Sequence, residues 1–401
     1  MRFGVNYTPS RGWFHHWLDL DLGEVRADLR DIAGLGADHV RIFPLWPLLQ
    51  PHRGLIRSRA LDDLCAVADT AAGAGLDVTI DVLQGHLSSF DFYPAWTRTW
   101  HERNVFTDPD AVAAQAGLVR AVAEAVAGRP HVLGLSLGNE PNNMTAHNPV
   151  TAEETDRWLD SLLAAGRAGA PGKELLVHNA YDAAWYSAGH PFTPRALATK
   201  GTATVVHPWV FSGDCARRYG PLSPQVTHLA EYAVELAKGH AATAGRPVWV
   251  QEIGAPAPHI PAAVAPAFAE ASIRNLLSRD GVWGLTWWCS HDVDRRLADF
   301  PGLEYTLGLF TSDRRRKPLA DVFARFAGAA SLPSDNSNKR EALVLDDAES
   351  SRPAAGPGGR FFEAWMDAAA RGERLAITTT TQAADGELLA ARGITELREP
   401  A

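Results

Sequence analysis

Cysteine is scarce: the 401-residue chain has three, Cys65, Cys215 and Cys289, far apart and odd in number. That excludes a disulfide framework. No apolar run approaches the roughly 18 residues of a membrane-spanning helix. Positive charge is not in excess either. The 38 Lys and Arg stand against 47 Asp and Glu, a formal net charge of −9, which speaks against nucleic acid as a partner. The basic run Arg314-Arg315-Arg316-Lys317 is the local exception and reads as a solvated loop before a helix. A glycine-rich phosphate loop is also missing. The turn after the first strand reads Asn6-Tyr7-Thr8-Pro9-Ser10-Arg11-Gly12, without the dinucleotide fingerprint of an open doubly wound sheet. The opening Met-Arg-Phe-Gly-Val-Asn-Tyr has no apolar leader, so a cytoplasmic enzyme is expected. His15-His16 stands without further ligands at metal-site spacing, so neither metal nor cofactor is expected.

What is present is a regular alternation. Apolar strand-like stretches occur at Arg2–Tyr7, His39–Phe43, Leu76–Val82, Leu133–Gly138, Leu175–His178, Thr202–His207, Pro247–Ile253 and Val282–Trp288. Helical periods lie between them, among them Gly23–Gly36, the stretch opened by Ser58 as cap, Asp108–Ala127 with Pro109 in its first turn, and Thr151–Gly169. The last opens on a Thr-x-x-Glu capping box, Thr151 to Glu154. Further helices are expected at Ser223–Ala244, Pro261–Ser278 and Pro318–Phe326. Eight strands alternating with helices imply a parallel sheet closed into an α/β (β/α)8 TIM barrel spanning residues 1–330. From Ser331 the composition changes. Ser331 to Asn338 reads as a linker, followed by a helix at Phe361–Ala370, a Thr-rich strand at Leu375–Thr381 and a short helix at Gly386–Arg392. Residues 331–401 are too few for much of a core. They are expected to form a small C-terminal appendage, packed on the barrel or pairing subunits as a homo-oligomer.

Two of the strands end in acids. Leu133-Gly134-Leu135-Ser136-Leu137-Gly138 runs into Asn139-Glu140-Pro141, and Pro247-Val248-Trp249-Val250 runs into Gln251-Glu252-Ile253-Gly254. Carboxylates at the C-terminal ends of two separated barrel strands are the minimum equipment for cleaving a glycosidic bond, one as acid, the other as nucleophile or base. Asn139 is placed to bond the hydroxyl next to the reacting carbon. The 13 tryptophans fit the same chemistry, because a pyranose face packs on an indole. Trp46, Trp96 and Trp209 lie in loops after strands and, with Asn6 at the end of the first strand, are expected to line the cleft. Asp292 and Asp294 are further candidates for binding hydroxyls of a terminal sugar.

The Asn-Glu-Pro and Gln-Glu-Ile-Gly pair resembles the clan A retaining glycoside hydrolases, most closely family 5, over about residues 1–330. The resemblance implies Glu140 as acid/base and Glu252 as nucleophile. It implies Arg41 as the strand-two arginine supporting the nucleophile, and Trp288 as the platform under the sugar. His86 matches the family's strand-three His loosely. His207-Pro208-Trp209 matches its strand-six His-x-Tyr, with Trp in place of Tyr. That departure leaves the donor to the nucleophile open among Tyr7, Tyr181 and Tyr186. Gly4-Val5-Asn6-Tyr7-Thr8-Pro9 and the Trp209 variant resemble the β-mannosidase branch acting on the mannosyl-β-1,4-N-acetylglucosamine core of N-glycans. The expected partner is therefore a small oligosaccharide. An endo-acting mannanase or endoglucanase of the same family, and a catalytically inactive sugar-binding barrel, remain as alternatives.

Overall fold

A computed structural model describes residues 1–100, 103–329 and 340–400. Eight parallel strands form one sheet: β1 (Arg2–Asn6), β2 (His39–Ile42), β3 (Asp77–Leu83), β4 (Val132–Gly138), β5 (Leu175–Val177), β6 (Thr204–Val206), β7 (Val248–Ile253) and β8 (Val282–Trp287). Their order is β5-β4-β3-β2-β1-β8-β7-β6. The remaining seam, between β5 and β6, is bridged just before β6. There Thr202 donates its N–H to the Leu176 carbonyl at 2.9 Å, and its hydroxyl accepts the Leu176 N–H at 3.0 Å. The sheet is thus a nearly closed (β/α)8 barrel, with helices outside as the alternating sequence requires. Strand residues are buried on both faces, the outward ones against the apolar helix shell, which is why these strands read as largely hydrophobic runs, while polar residues such as Arg41 and Asp81 are enclosed within the barrel.

The glycine in Leu137-Gly138 is set by strand spacing. A Cβ there would lie 2.2 Å from the Leu83 carbonyl oxygen, so a larger residue would push β3 and β4 apart just below Glu140. The helix after β4, Ala152–Gly169, opens with both bonds of the Thr151–Glu154 capping box. Ser58 does not cap its helix: the chain enters Ser58–Gly73 through Arg57, whose side chain gives no cap. The long helix expected over Ser223–Ala244 is divided at His228 into Pro224–Thr227 and Leu229–His240.

The linker expected at Ser331–Asn338 lies outside the described residues. Beyond it β9 (Arg340–Leu345), β10 (Ala376–Thr379) and β11 (Ile394–Arg398) form a parallel sheet in the order β10-β9-β11. The sequence reading had one strand here, and the flanking two were missed. The helix Arg360–Ala370 turns its apolar face onto this chain's own barrel. Phe362 and Trp365 pack edge-on against Tyr232 at 5.1 and 5.2 Å, and the Tyr232 hydroxyl donates to the Ala355 carbonyl at 2.6 Å. The apolar face is thereby used within the chain, so the expected pairing of subunits through this segment finds no support in its packing. Beneath it, buried Glu231 and Glu235 meet Arg279, Arg340 and Lys238. No helix among the described residues is long and apolar enough to cross a membrane.

Candidate active site

The C-terminal ends of the strands open into a cleft of about 310 Å³, lined by Asn139, Glu140, Trp209, Glu252 and Trp288 at its floor. Glu140 follows β4 in a left-handed conformation, φ 43° and ψ 55°, which is costly for a residue with a Cβ and occurs where surrounding structure dictates it. Its N–H donates to Asn179 Oδ1 at 2.6 Å. Glu252 is the penultimate residue of β7 and 3% exposed. One carboxylate oxygen of each lies within 4.8 Å of the other.

The groups directly beneath the carboxylates form a hydrogen-bonded network. Arg41, fully buried in β2, spends all five N–H donors. Nε and Nη2 hold Asp81, Nη1 donates to Asn6 Oδ1 at 3.1 Å and to Glu252 Oε1 at 2.7 Å, and Nη2 also donates to Asn139 Oδ1 at 2.8 Å. The other Glu252 oxygen, Oε2, accepts from Trp209 Nε1 at 3.1 Å. None of the three tyrosines left open by the sequence makes this contact. The Tyr7 hydroxyl donates to Asp28, Tyr181 pairs with Ser212, and Tyr186 is half-buried against Gly356. Gly254 is what admits the indole. A Cβ there would lie 3.1 Å from the Trp209 ring and 2.6 Å from the Trp288 carbonyl oxygen.

A second chain of bonds orders the protons. Because Asn179 Oδ1 accepts the Glu140 N–H, its amide group must donate, and it does so to Gln251 Oε1 at 2.9 Å. The same oxygen lies 3.0 Å from His207 Nε2, so that nitrogen carries hydrogen. His207 Nδ1 is then left facing Glu140 Oε1 at 2.8 Å, with one proton between them. Burial alone would lower the His207 pKa, but the Glu252 and Glu140 charges outweigh it and raise it. Burial likewise pushes the Glu252 carboxyl up, with Glu140 adding to the rise and His207 and Arg41 pulling against it. Geometry decides where the proton rests. Both Glu252 oxygens accept from fixed donors, Arg41 and Trp209, and His207 Nδ1 lies nearer Glu140, at 2.8 Å against 3.5 Å from Glu252 Oε2.

Three residues expected to touch sugar lie behind the cleft instead. Arg41 and His207 reach it only through the carboxylates they bond. Asn6 is buried beneath, its amide donating to the carbonyls of Gln251, Thr286 and Trp287. Trp46 and Trp96 are not in the cleft at all. They pack edge-on with each other in the core, 5.8 Å apart, with their N–H groups bonded to the side chain and carbonyl of Gln50. His86 does line the cleft, held by Asp91 at 2.9 Å. Asp292 is tied to Lys317 and the Gly308 N–H, and Asp294 to Arg296. Asp81, Asn179, Phe211 and Glu304 were missed, Gln251 was read only as part of its motif, and Tyr181, a candidate donor to the nucleophile, lines the cleft instead. A charged residue inside an apolar strand, as in Ile80-Asp81-Val82, was the available signal for the first.

Two triplets among the described residues have metal-compatible spacing, Asp28 with Asp31 and His291, and Glu140 with His207 and Glu252. In each an arginine already lies against carboxylates, Arg314 in the first and Arg41 in the second.

A barrel with paired strand-end carboxylates, one clamped by donors and one sharing a proton with imidazole, is the apparatus of a glycoside hydrolase. No family model and no curated protein matched the sequence, whereas solved structures did. The chain is 53% identical to GH5_18 from Streptomyces cattleya, covering 100% of this chain and 98% of that one at a TM-score of 0.97. That structure is a glutamate-to-alanine variant in complex with Manβ1-4GlcNAc. It is 42% identical to GH5_18 from Bifidobacterium longum subsp. longum, over 100% and 96% of the two chains at a TM-score of 0.95, again a glutamate-to-alanine variant with Manβ1-4GlcNAc. The exo-β-1,4-mannosidase Op5Man5 from an Opitutaceae bacterium shares the fold, at 21% identity and a TM-score of 0.78 over 94% and 69% of the chains. The chain belongs to glycoside hydrolase family 5, subfamily 18.

Proposed function

We propose that the protein is a retaining exo-β-mannosidase that hydrolyses mannosyl-β-1,4-N-acetylglucosamine, the disaccharide bound by its Streptomyces and Bifidobacterium relatives. The observation that carries retention is the short separation of the carboxylates, with oxygens within 4.8 Å. An inverting pair stands about 6.5–9.5 Å apart to admit a water, while a retaining pair sits closer and leaves room only for direct attack. In this reading Glu252 attacks the anomeric carbon while Glu140 protonates the leaving oxygen. The C–O bond to N-acetylglucosamine breaks and a mannosyl ester of Glu252 forms. Water, deprotonated by Glu140, then attacks the same carbon and frees Glu252. Arg41, Trp209 and His207 act through the two carboxylates. Asn139, fixed by Arg41, is aimed at the sugar's 2-hydroxyl.

The acid must face the leaving group, which assigns the two ends of the cleft. The leaving sugar lies on the side of Asn143, Tyr181 and Phe211. Trp209 stacks on Phe211 at 5.0 Å, and Phe211 runs nearly parallel to Tyr181 at 6.5 Å, an aromatic platform for an acetamido sugar. The mannosyl ring lies over Trp288, toward the loops after β3 and β8. That end is blocked. Trp13, Phe90 and Phe300, from the loops after β1, β3 and β8, meet at ring distances of 4.7 to 5.5 Å. A closed end supports removal of single terminal residues rather than cutting within a polymer.

Residues 1–330 form the catalytic unit in this proposal and 331–401 an appendage bracing it, and the cytoplasm is its place of action. The test is mannose release from mannosyl-β-1,4-N-acetylglucosamine, β-1,4-mannobiose and cellobiose in parallel with polymeric mannan. Strong preference for the first supports the reading. Shortening of mannan without mannose release, or full activity in Glu252→Gln, overturns it.

A further inference from the structure

Glu304 is a third carboxyl in the cleft, and the two-carboxylate mechanism does not use it. It sits in the short 3-10 turn Gly302–Tyr305 of the loop after β8 and is 7% exposed, yet it lines the same cavity as Glu140 and Glu252. No cation pairs with it among the described residues. An acid held out of water without a cation is costly and is retained where a ligand completes its bonds. Facing it across the blocked end is Ser88. Ser88 and Ser89 form the tip of a small hairpin and both have positive φ, 50° and 73°, a strained conformation for residues with a Cβ. The Ser88 hydroxyl lies beside the Glu304 carboxyl, but its Oγ is buried without completing a hydrogen bond. Behind both stands the aromatic wall of Trp13, Phe90 and Phe300, with Leu303 and Leu307 beside them. Polar groups are therefore concentrated on the one patch of this wall that a terminal sugar would meet.

We propose that Glu304 and Ser88 read the non-reducing end of the substrate, Glu304 accepting hydrogen bonds from the hydroxyls farthest from the anomeric carbon and Ser88 completing the set. The inference rests on the proposed direction of the sugar in the cleft. It makes the exo specificity chemical as well as steric, since a mannosyl unit substituted at those hydroxyls would lose the bonds and meet the wall. Burial, with the charge of Glu252 adding to it and Ser88 opposing it, brings the Glu304 carboxyl to about 7.

The experiment compares 4-nitrophenyl β-mannoside with its 3-, 4- and 6-deoxy analogues on wild type, Glu304→Ala, Glu304→Gln and Ser88→Ala. In wild type, removing a hydroxyl that Glu304 holds is expected to lower kcat/KM at least about tenfold, the range for a bond to a charged group. In Glu304→Ala that particular penalty should shrink to under about threefold while those at other positions persist. Glu304→Gln should retain part of it, and these two variants should raise KM more than they lower kcat. A structural role would depress all four substrates alike, and an unchanged pattern of penalties in Glu304→Ala overturns the inference. If that variant fails to fold, Glu304→Gln and Ser88→Ala give the same readout. A wild type inactive on mannosyl-β-1,4-N-acetylglucosamine refutes the proposed function itself, which separates the two failures.

Discussion

Trp209 stands where family resemblance leads one to expect a tyrosine, and Trp209→Phe isolates what its N–H does. The substitution keeps a flat ring against Phe211, 5.0 Å away, and removes the donor at 3.1 Å from Glu252 Oε2. The two chemical steps feel this differently. In the first, Glu252 gives up negative charge as it bonds to carbon, so a donor favours the ground state and its loss does not slow this step. In the second, Glu252 is the leaving group and recovers its charge, so the same donor favours the transition state. A hydrogen bond to a charged group is worth about 1.5–3 kcal/mol, and about 1.4 kcal/mol is tenfold in rate. Release of the mannosyl-enzyme should therefore slow about 10- to 100-fold. If that step comes to limit turnover, kcat falls by that factor, KM falls with it and kcat/KM changes by less than about tenfold. With 4-nitrophenyl β-mannoside a burst of nitrophenol stoichiometric with enzyme should appear. Equal losses in kcat and kcat/KM without a burst, or a kcat within about threefold of wild type, would refute the reasoning.

Three further outcomes follow from the same geometry. Gly254→Ala should reproduce the Trp209→Phe kinetics in weaker form, because its Cβ would lie 3.1 Å from the indole. Unchanged burst behaviour would show that the indole does not need that space. Arg41→Lys offers at most three donors where Asp81, Asn6, Asn139 and Glu252 now receive five. Breaking a buried pair costs about 3–5 kcal/mol, so kcat/KM should fall at least about 100-fold and thermal stability should drop, both measurable on the purified variant. In Glu235, burial alone would raise the carboxyl, but the charges of Lys238, Arg279, Arg340 and Arg392 outweigh it and hold the group well below its ordinary value. A folded pKa below the unfolded one, about 4.3, contributes stability above that pH and loses it as pH falls toward the folded value. Urea unfolding should show Glu235→Gln less stable than wild type by about 3–5 kcal/mol at pH 7, with the gap closing below about pH 4. A gap independent of pH would contradict the assignment.

The barrel was legible because its strands are buried on both faces and announce themselves as apolar runs between turn residues. Glu140 and Glu252 were legible for the converse reason, since an acid at the end of such a run has few structural explanations. Trp46 and Trp96 show where the reading stops. Their loop positions were seen, but which way an indole points depends on what accepts its N–H, here Gln50, distant from Trp96 in sequence. Trp209 was taken as an aromatic surface and proved also to be a donor, because only the fold brings its nitrogen to Glu252. Glu304 carries no motif and sits in a Pro-Gly loop, so burial and cavity lining were needed to find it. The flanking strands β9 and β11 were missed because neither is marked off by clear turns. The pairing of β9 with both β10 and β11 depends on contacts across the appendage that no local pattern encodes.

The central claim is direct attack by Glu252 on a terminal mannoside, and its stereochemistry can be watched. Proton NMR of fresh enzyme with mannosyl-β-1,4-N-acetylglucosamine, read before mutarotation, reports the first anomer of mannose released. β-Mannose appearing first, and the α form only later, is the result this account predicts. α-Mannose appearing first would mean that a water, not Glu252, attacks the anomeric carbon, and the account would be wrong.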